Sequence, residues 1–114
     1  MRRSLRLAFW AATAFTFVMA VLPHPPQLPG APNDKLQHIL AFVTLTGLAV
    51  LGWPALARLG LLLALSGFGV LIELVQAIPG LRRSSDWRDW VADTGAILAI
   101  LALAAALDRA RRAR

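Results

Sequence analysis

Ionisable residues recur at helical spacing inside otherwise apolar stretches of this chain. Asp34 and His38 are four residues apart, and Asp89 and Asp93 repeat that spacing. Residues three or four apart lie on one face of a helix, so each pair presents its polar groups together. A carboxylate beside an imidazole is suited to proton transfer, whereas two carboxylates on one face repel each other and need a nearby cation or a shared proton.

Further polar residues are predicted at the same level of the molecule. Glu73 and Gln76 are three residues apart near the end of an apolar run. Glu73 lies about five residues inside that end, where it caps nothing on its own helix. The basic residues Lys35 and Arg83, or protonated His38, would supply the cation that a carboxylate pair needs. The resulting candidates for ligand binding are Asp34, Lys35, His38, Glu73, Gln76, Arg83, Asp86, Asp89 and Asp93.

Three of these residues are also candidates for acid and base catalysis: His38, Glu73 and Asp89. Paired ionisable groups in a cleft of low dielectric constant suit that chemistry. However, the chain has no cysteine, no Gly-x-Ser-x-Gly elbow and no phosphate-cradling glycine loop, so we expect a protein that is not an enzyme. We expect no cofactor.

A metal site is an alternative use of the same side chains. Zinc and manganese accept mixed nitrogen and oxygen ligands. With one histidine among the candidates, we expect no metal site. The alternative set of ligands is His38, Asp34, Glu73 and Asp89.

Helix capping is the structural alternative for several of these residues. Asn33 or Asp34 would cap the second predicted helix, with Gln37 reaching back if Asp34 is the cap. Ser85 or Asp86 would cap the fourth helix in the same way. A structural role for Glu73, in which it only fixes helix packing through an ion pair, stays open as well.

The elements that position these residues are predicted to be four apolar helices. Of the 114 residues, 58% are hydrophobic and 16% are charged, which is too apolar a composition for a soluble domain of this size. Four stretches approach the ~20 residues needed to cross a bilayer. The sequence therefore predicts one all-α domain over residues 1–114, a bundle of four transmembrane helices arranged as two helical hairpins. The predicted helices cover residues 5–22, 36–53, 59–78 and 90–107.

Turn formers and charges set the predicted topology. Residues 23–33 contain five prolines and should form an extended outer loop, and residues 108–114 form a basic tail. Eight of the twelve basic residues lie on the cytoplasmic side if both termini are inside, so we predict cytoplasmic termini and an outward-facing polar level. The alternative is that residues 1–20 form a cleaved signal peptide. A basic start before an apolar stretch is found both in signal peptides and in first transmembrane helices.

Tryptophans lie at the predicted ends of the spans. Indole rings favour the headgroup region because they are amphipathic. We therefore predict that Trp53, Trp87 and Trp90 anchor the bundle at the membrane interfaces.

The order and spacing of the polar motifs resemble the VanZ-like family of small bacterial membrane proteins, over about residues 33–99. As in that family, an aspartate, Asp89, follows an arginine, Arg83, by six residues. The chain departs from the family pattern at three points. Asp93 stands where asparagine is frequent in the family, Ala99 stands where a glycine is common, and one extra residue separates Gln76 from Arg83. The matching residues are Asp34, Lys35, His38, Phe42, Glu73, Gln76, Arg83, Asp86, Asp89, Asp93 and Gly95.

The resemblance implies a multi-helix membrane protein related to a founding member that is associated with resistance to the glycopeptide teicoplanin. It supplies no reaction. We expect a multi-pass protein of the plasma (inner) membrane that binds or screens an anionic envelope or lipid-linked ligand at its outer face. The alternatives are an enzyme acting on a lipid-linked substrate, with His38 and Glu73 or Asp89 as acid and base, and a small transporter component that acts as an oligomer.

The expected partners follow from the same composition. The twelve basic residues flank apolar runs, so we expect the lipid bilayer and anionic headgroups as partners and no nucleic acid. An anionic lipid or a cell-wall precursor is the expected ligand. A homo-oligomer is compatible with the sequence.

Overall fold

α-Helices make up most of the part of the chain that the structure describes. The computed structural model describes residues 2–22, 34–81 and 86–113, with the side chains of all but residues 34, 35 and 81. No strand occurs within these ranges, and the predicted all-α class with four helices is confirmed for them. The helices are α1 (Arg2–Val21), α2 (Asp34–Gly52), α3 (Arg58–Gln76) and α4 (Trp87–Arg112), and a short 3-10 helix covers Pro79–Leu81.

Proline and glycine determine where the middle helices end. The Trp53 amide donates to Ala49 O at 2.9 Å, and Pro54 then follows, which has no amide hydrogen to continue the ladder. At the end of α3 the Ala77 amide still donates to Glu73 O at 3.1 Å, two residues before Pro79. Both breaks lie where the sequence predicts them.

The helices alternate in direction along the bundle. Arg6 near the start of α1 donates from Nε to Gly52 O at the end of α2, at 2.7 Å, so α1 and α2 are antiparallel. Arg58 at the start of α3 pairs with Asp108 near the end of α4. His38 near the start of α2 contacts Asp93 near the start of α4. The same end of the bundle therefore holds the starts of α2 and α4 and the ends of α1 and α3.

Most of the buried side chains of the bundle are apolar, and large apolar side chains also cover its outer surface. Phe42, Leu45 and Ile97 are completely buried among side chains from α2, α3 and α4. Outside, Phe15, Leu63 and Leu74 are about two-thirds exposed, at 66%, 64% and 65%. A surface of large apolar side chains suits lipid rather than water as the solvent.

Three of the described helices are long and apolar enough to cross a membrane: α1, α3 and α4. In α2 the apolar stretch among the residues whose side chains are described is Leu36–Gly52. The prediction of four transmembrane helices is thus confirmed for the presence of four helices, and three of them are long and apolar enough to cross a membrane.

The fourth helix is longer than the predicted range of residues 90–107. It begins at Trp87, since Asp86 caps it, and it continues to Arg112. Basic residues in the last turn stabilise a helix carboxyl end through its dipole. Residues 108–112, predicted as a tail, are therefore helical.

Basic side chains gather at the end of the bundle opposite the starts of α2 and α4. The guanidinium of Arg6 lies 5.4 Å from the ring centroid of Trp53, whose indole also packs edge-on against Phe9. Arg58, at the start of α3, forms an ion pair with Asp108 near the end of α4. This contact joins the α3/α4 hairpin at its open end, on the surface, where such pairs contribute little. The predicted proline-rich loop of residues 23–33 lies outside the described residues.

Candidate functional site

A largely buried histidine contacts two buried aspartates at the end of the bundle where α2 and α4 begin. Nδ1 of His38 lies 2.9 Å from Oδ1 of Asp93, and Nε2 lies 3.6 Å from Oδ2 of Asp89. The His38 side chain is only 10% exposed, and those of Asp89 and Asp93 are 3% and 0% exposed. The helical spacing of the two aspartates thus directs both carboxylates toward one imidazole.

The geometry assigns a different role to each ring nitrogen. An ionised carboxylate can only accept a hydrogen bond, so Nδ1 of His38 is the donor to Oδ1 in the tautomer that suits an ionised Asp93. The 3.6 Å separation between Nε2 and Asp89 is too long for a good hydrogen bond and is a charge contact when the ring is protonated. When it is protonated, His38 places a positive charge between two carboxylates that would otherwise repel each other along α4.

A close approach of α3 to α4 supports this pair. A Cβ atom added to Gly69 would lie 3.0 Å from Oδ2 of Asp93 and 3.3 Å from Cδ1 of Trp90. Such contacts are tighter than most Cβ atoms make, so an alanine here would require the Asp93 or Trp90 side chain to shift by a few tenths of an ångström. Sequence reasoning missed Gly69, although its position four residues before Glu73 places it on the face that carries that carboxylate.

Trp90 is bound inside the α3/α4 interface. Its indole Nε1 donates to Ser66 O at 3.2 Å and to Ser66 Oγ at 3.1 Å. The prediction that Trp90 is a membrane-interface anchor does not account for these contacts, because its polar atom is bound to α3. Trp87, in contrast, is 69% exposed and carries the Arg88 guanidinium 5.9 Å from its ring centroid. Sequence reasoning also missed Ser66 and its partner Thr94, whose hydroxyl groups lie 3.0 Å apart inside apolar spans.

Glu73 contributes to the start of α4 rather than to its own helix. Its Oε2 accepts the backbone amide of Asp86 at 3.0 Å, and Asp86 Oδ1 in turn accepts the amide of Arg88 at 3.0 Å. Of the two predicted caps of the fourth helix, Ser85 and Asp86, it is Asp86 that caps it. Glu73 therefore holds the cap residue in place, and this explains a buried carboxylate that has no capping role in α3.

Gln76 is buried but serves the packing of α1. Its Nε2 donates to Ala20 O at 3.2 Å, which joins the ends of the parallel helices α1 and α3. Only 1% of Gln76 is exposed, and its Oε1 has no hydrogen-bond partner among the described residues. In the described structure the hydrogen bond of Gln76 thus links α3 to α1.

The structure brings together a subset of the predicted site. One ligand atom each from His38, Glu73 and Asp93 lie within 4.8 Å of one another. This group differs from the alternative metal set predicted from the sequence, since Asp93 takes part in it and Asp89 does not. The side chains of Asp34 and Lys35, and the whole of Arg83, lie outside the described residues.

The chemistry of the assembled site is that of a buried, mainly acidic cluster. We call His38, Glu73, Asp89 and Asp93 the polar cluster; its members come from α2, α3 and α4. Such a group can hold protons, orient an imidazole for acid and base work, or bind a cation. Placing carboxylates and an imidazole inside a membrane span costs free energy, so we expect these residues to have a function.

Comparison with known proteins gives no relative for this chain. No family model matches it, and neither does any curated protein or any solved structure. The geometry of the polar cluster and the motifs of the sequence therefore carry the functional argument.

Proposed function

We propose that this chain is a multi-pass, VanZ-like protein of the plasma membrane that binds an anionic envelope or lipid-linked ligand without catalysing a reaction. The observation that carries the proposal is the polar cluster, which three helices build at one end of an apolar bundle. A link to glycopeptide resistance belongs to the same proposal. It rests on the order of the motifs from Asp34 to Gly95.

The proposed orientation puts the polar cluster at the outer face. Arg6 and Arg58 lie at the other end of the bundle, where Arg109, Arg111 and Arg112 complete the last turn of α4. Basic residues are retained on the cytoplasmic side of membrane proteins. This distribution supports cytoplasmic termini.

The surroundings of the cluster favour an amphiphilic ligand. Leu40, Trp87 and Val91 are exposed on the outer surface of α2 and α4, within one turn of His38 or Asp89. An acyl or prenyl chain can lie along such a surface while its headgroup reaches the end of the bundle. Arg88 is exposed at that end and offers a guanidinium to a phosphate or carboxylate.

Native mass spectrometry of the purified protein tests the proposal. The probes are phosphatidylglycerol and a polyprenyl phosphate, with zwitterionic phosphatidylcholine as the comparison. We expect saturable retention of an anionic probe, weakened by Arg88→Gln and unchanged by Arg111→Gln at the opposite end. Equal retention of phosphatidylcholine and the anionic probes would remove the basis for a specific ligand.

A second candidate function is acid and base catalysis on a lipid-linked substrate. The contact between His38 Nδ1 and Asp93 Oδ1 favours it, because a carboxylate that orients an imidazole is a common arrangement in such catalysis. Glu73 or Asp89 would be the second acid or base. Prolonged incubation with a polyprenyl pyrophosphate should then release phosphate, with a loss of about 100-fold or more in His38→Gln. Unchanged lipid after that incubation rules the reaction out for this substrate.

A further inference from the structure

The polar cluster contains the donor atoms of a small metal site. His38 offers an imidazole nitrogen, and Glu73 and Asp93 each offer a carboxylate oxygen, all within 4.8 Å of one another. The three residues come from three different helices, so the folded bundle and not a local sequence motif assembles the group. Glu73 and Asp93 are buried at 8% and 0% exposure.

The donor atoms lie within a short approach of the spacing around a bound ion. Two ligands that are each ~2.1 Å from a tetrahedral zinc are about 3.4 Å apart. The donor atoms of the three residues lie within 4.8 Å of one another, so the widest pair must approach by up to about 1.4 Å, which rotation of the flexible Glu73 and Asp93 side chains can supply. Three protein ligands of this type leave one position of a tetrahedral ion open.

We propose that His38, Glu73 and Asp93 bind a divalent cation of the zinc or manganese class, and that its open position takes an oxygen of the anionic ligand. The second half of this inference rests on the proposed function. The charges give its physical reason: the carboxylates of Glu73 and Asp93 repel an anion, whereas a divalent ion bound to both offsets their two charges and offers an oxygen ligand a direct bond at its open position. The cation thus supplies the coordination position through which this cluster would hold an anion.

Calorimetric titration of the full chain with ZnCl2, and separately with MnCl2, tests the metal site. The protein is purified in detergent without a histidine tag and treated with EDTA, which is then removed. We expect one saturable site per chain for at least one of the two ions. Glu73→Gln and Asp93→Asn should each weaken binding by about tenfold or more, because each removes a charged ligand.

The control is Asp108→Asn, which removes a carboxylate at the opposite end of the bundle and should leave the titration unchanged. Helical circular dichroism and the gel-filtration profile identify variants that fail to fold. Two ligand variants are used so that the test still gives a result if one of them fails to fold. The metal site is overturned if neither ion gives saturable heat, or if a folded ligand variant titrates like the parent.

A second arm separates this inference from the proposed function. Retention of the polyprenyl phosphate is measured by mass spectrometry with and without EDTA. Retention that EDTA abolishes supports the bridging cation, and retention that is unaffected by EDTA overturns it while the proposed function stands. Saturable metal binding without retention of any anionic lipid leaves the metal site standing and contradicts the proposed function.

Discussion

Nδ1 of His38 in α2 lies 2.9 Å from Oδ1 of Asp93 in α4, and this contact joins two helices that begin at the same end of the bundle. The contact links two helices across 55 positions of the chain. It constrains how α2 and α4 are rotated about their axes, because both side chains must face each other. Hydrogen bonds between helices in lipid contribute about 0.6 kcal/mol on average, and about 1.7 kcal/mol at most. The His38–Asp93 pair therefore contributes more to the orientation of α2 relative to α4 than to the stability of the bundle.

Replacement of Asp93 should separate the effect of hydrogen bonding from that of charge. In Asp93→Asn the amide oxygen still accepts from His38 Nδ1, so we expect a loss of less than about 1 kcal/mol. Asp93→Leu leaves His38 without this acceptor, and we expect a loss of about 1–2 kcal/mol. The measurement is the free energy of unfolding in mixed detergent micelles. Equal losses in the two variants would mean that the hydrogen bond is not what matters.

Gly69→Ala should weaken the packing of α3 against α4. The new methyl group would lie 3.0 Å from Asp93 Oδ2 and 3.3 Å from Trp90 Cδ1, so these packed side chains must shift by a few tenths of an ångström, and we expect a cost of about 1 kcal/mol. Gly67→Ala is the matched control, since nothing lies within 4 Å of a Cβ at that position. The control should be neutral or stabilising by up to about 1 kcal/mol, because alanine favours a helix. The same unfolding measurement applies, and a harmless Gly69→Ala would contradict the observed close approach.

Glu73 should control the order of the first turn of α4. Glu73→Leu removes the acceptor of the Asp86 amide, and we expect amide hydrogen exchange over residues 86–89 to become about tenfold faster. Glu73→Gln keeps an oxygen acceptor and should change exchange much less. Leu74→Ala, on the exposed outer surface, is the control. Slow exchange retained in Glu73→Leu would show that the carboxylate does not hold this turn.

Two tryptophans, Trp90 and Trp87, should respond differently to replacement by phenylalanine. Trp90→Phe removes the donor to Ser66, and we expect a loss of about 1 kcal/mol in the free energy of unfolding. Trp87→Phe changes an exposed ring and should stay within about 0.5 kcal/mol of the parent. If the two replacements cost the same, Trp90 has no special role in the α3/α4 interface.

The sequence predicts the helices well because apolar runs and breakers are local features. Pro54 and Pro79 end α2 and α3 near the predicted positions. The carboxyl end of α4 is harder to predict from the sequence. Hydropathy marks only where the apolar stretch ends, whereas the backbone hydrogen bonds of the helix continue into polar residues. Arg112 Nε donates to Asp108 O at 3.4 Å within this polar last turn.

The polar cluster was predictable in its members but not in its contacts. Helical spacing places Asp89 and Asp93 on one face, yet it does not say which neighbouring helix that face meets. The contact of Asp93 with His38 depends on the rotation of α2, and Glu73 reaches the Asp86 amide through a turn that spacing cannot describe. Gly69 is recognisable as important only once Asp93 is seen beside it.

Labelling of single cysteines tests the central claim that the polar cluster lies at the outer face of the membrane. The chain has no cysteine of its own. Gly80→Cys lies in the exposed 3-10 helix after α3, at the end of the bundle that holds the cluster, where a side chain has open space, and Ala57→Cys is exposed at the opposite end. With a membrane-impermeant maleimide on intact cells, we predict labelling of Gly80→Cys, and labelling of Ala57→Cys only after permeabilisation. The reverse pattern would place the cluster in the cytoplasm and contradict the proposed binding of an envelope ligand.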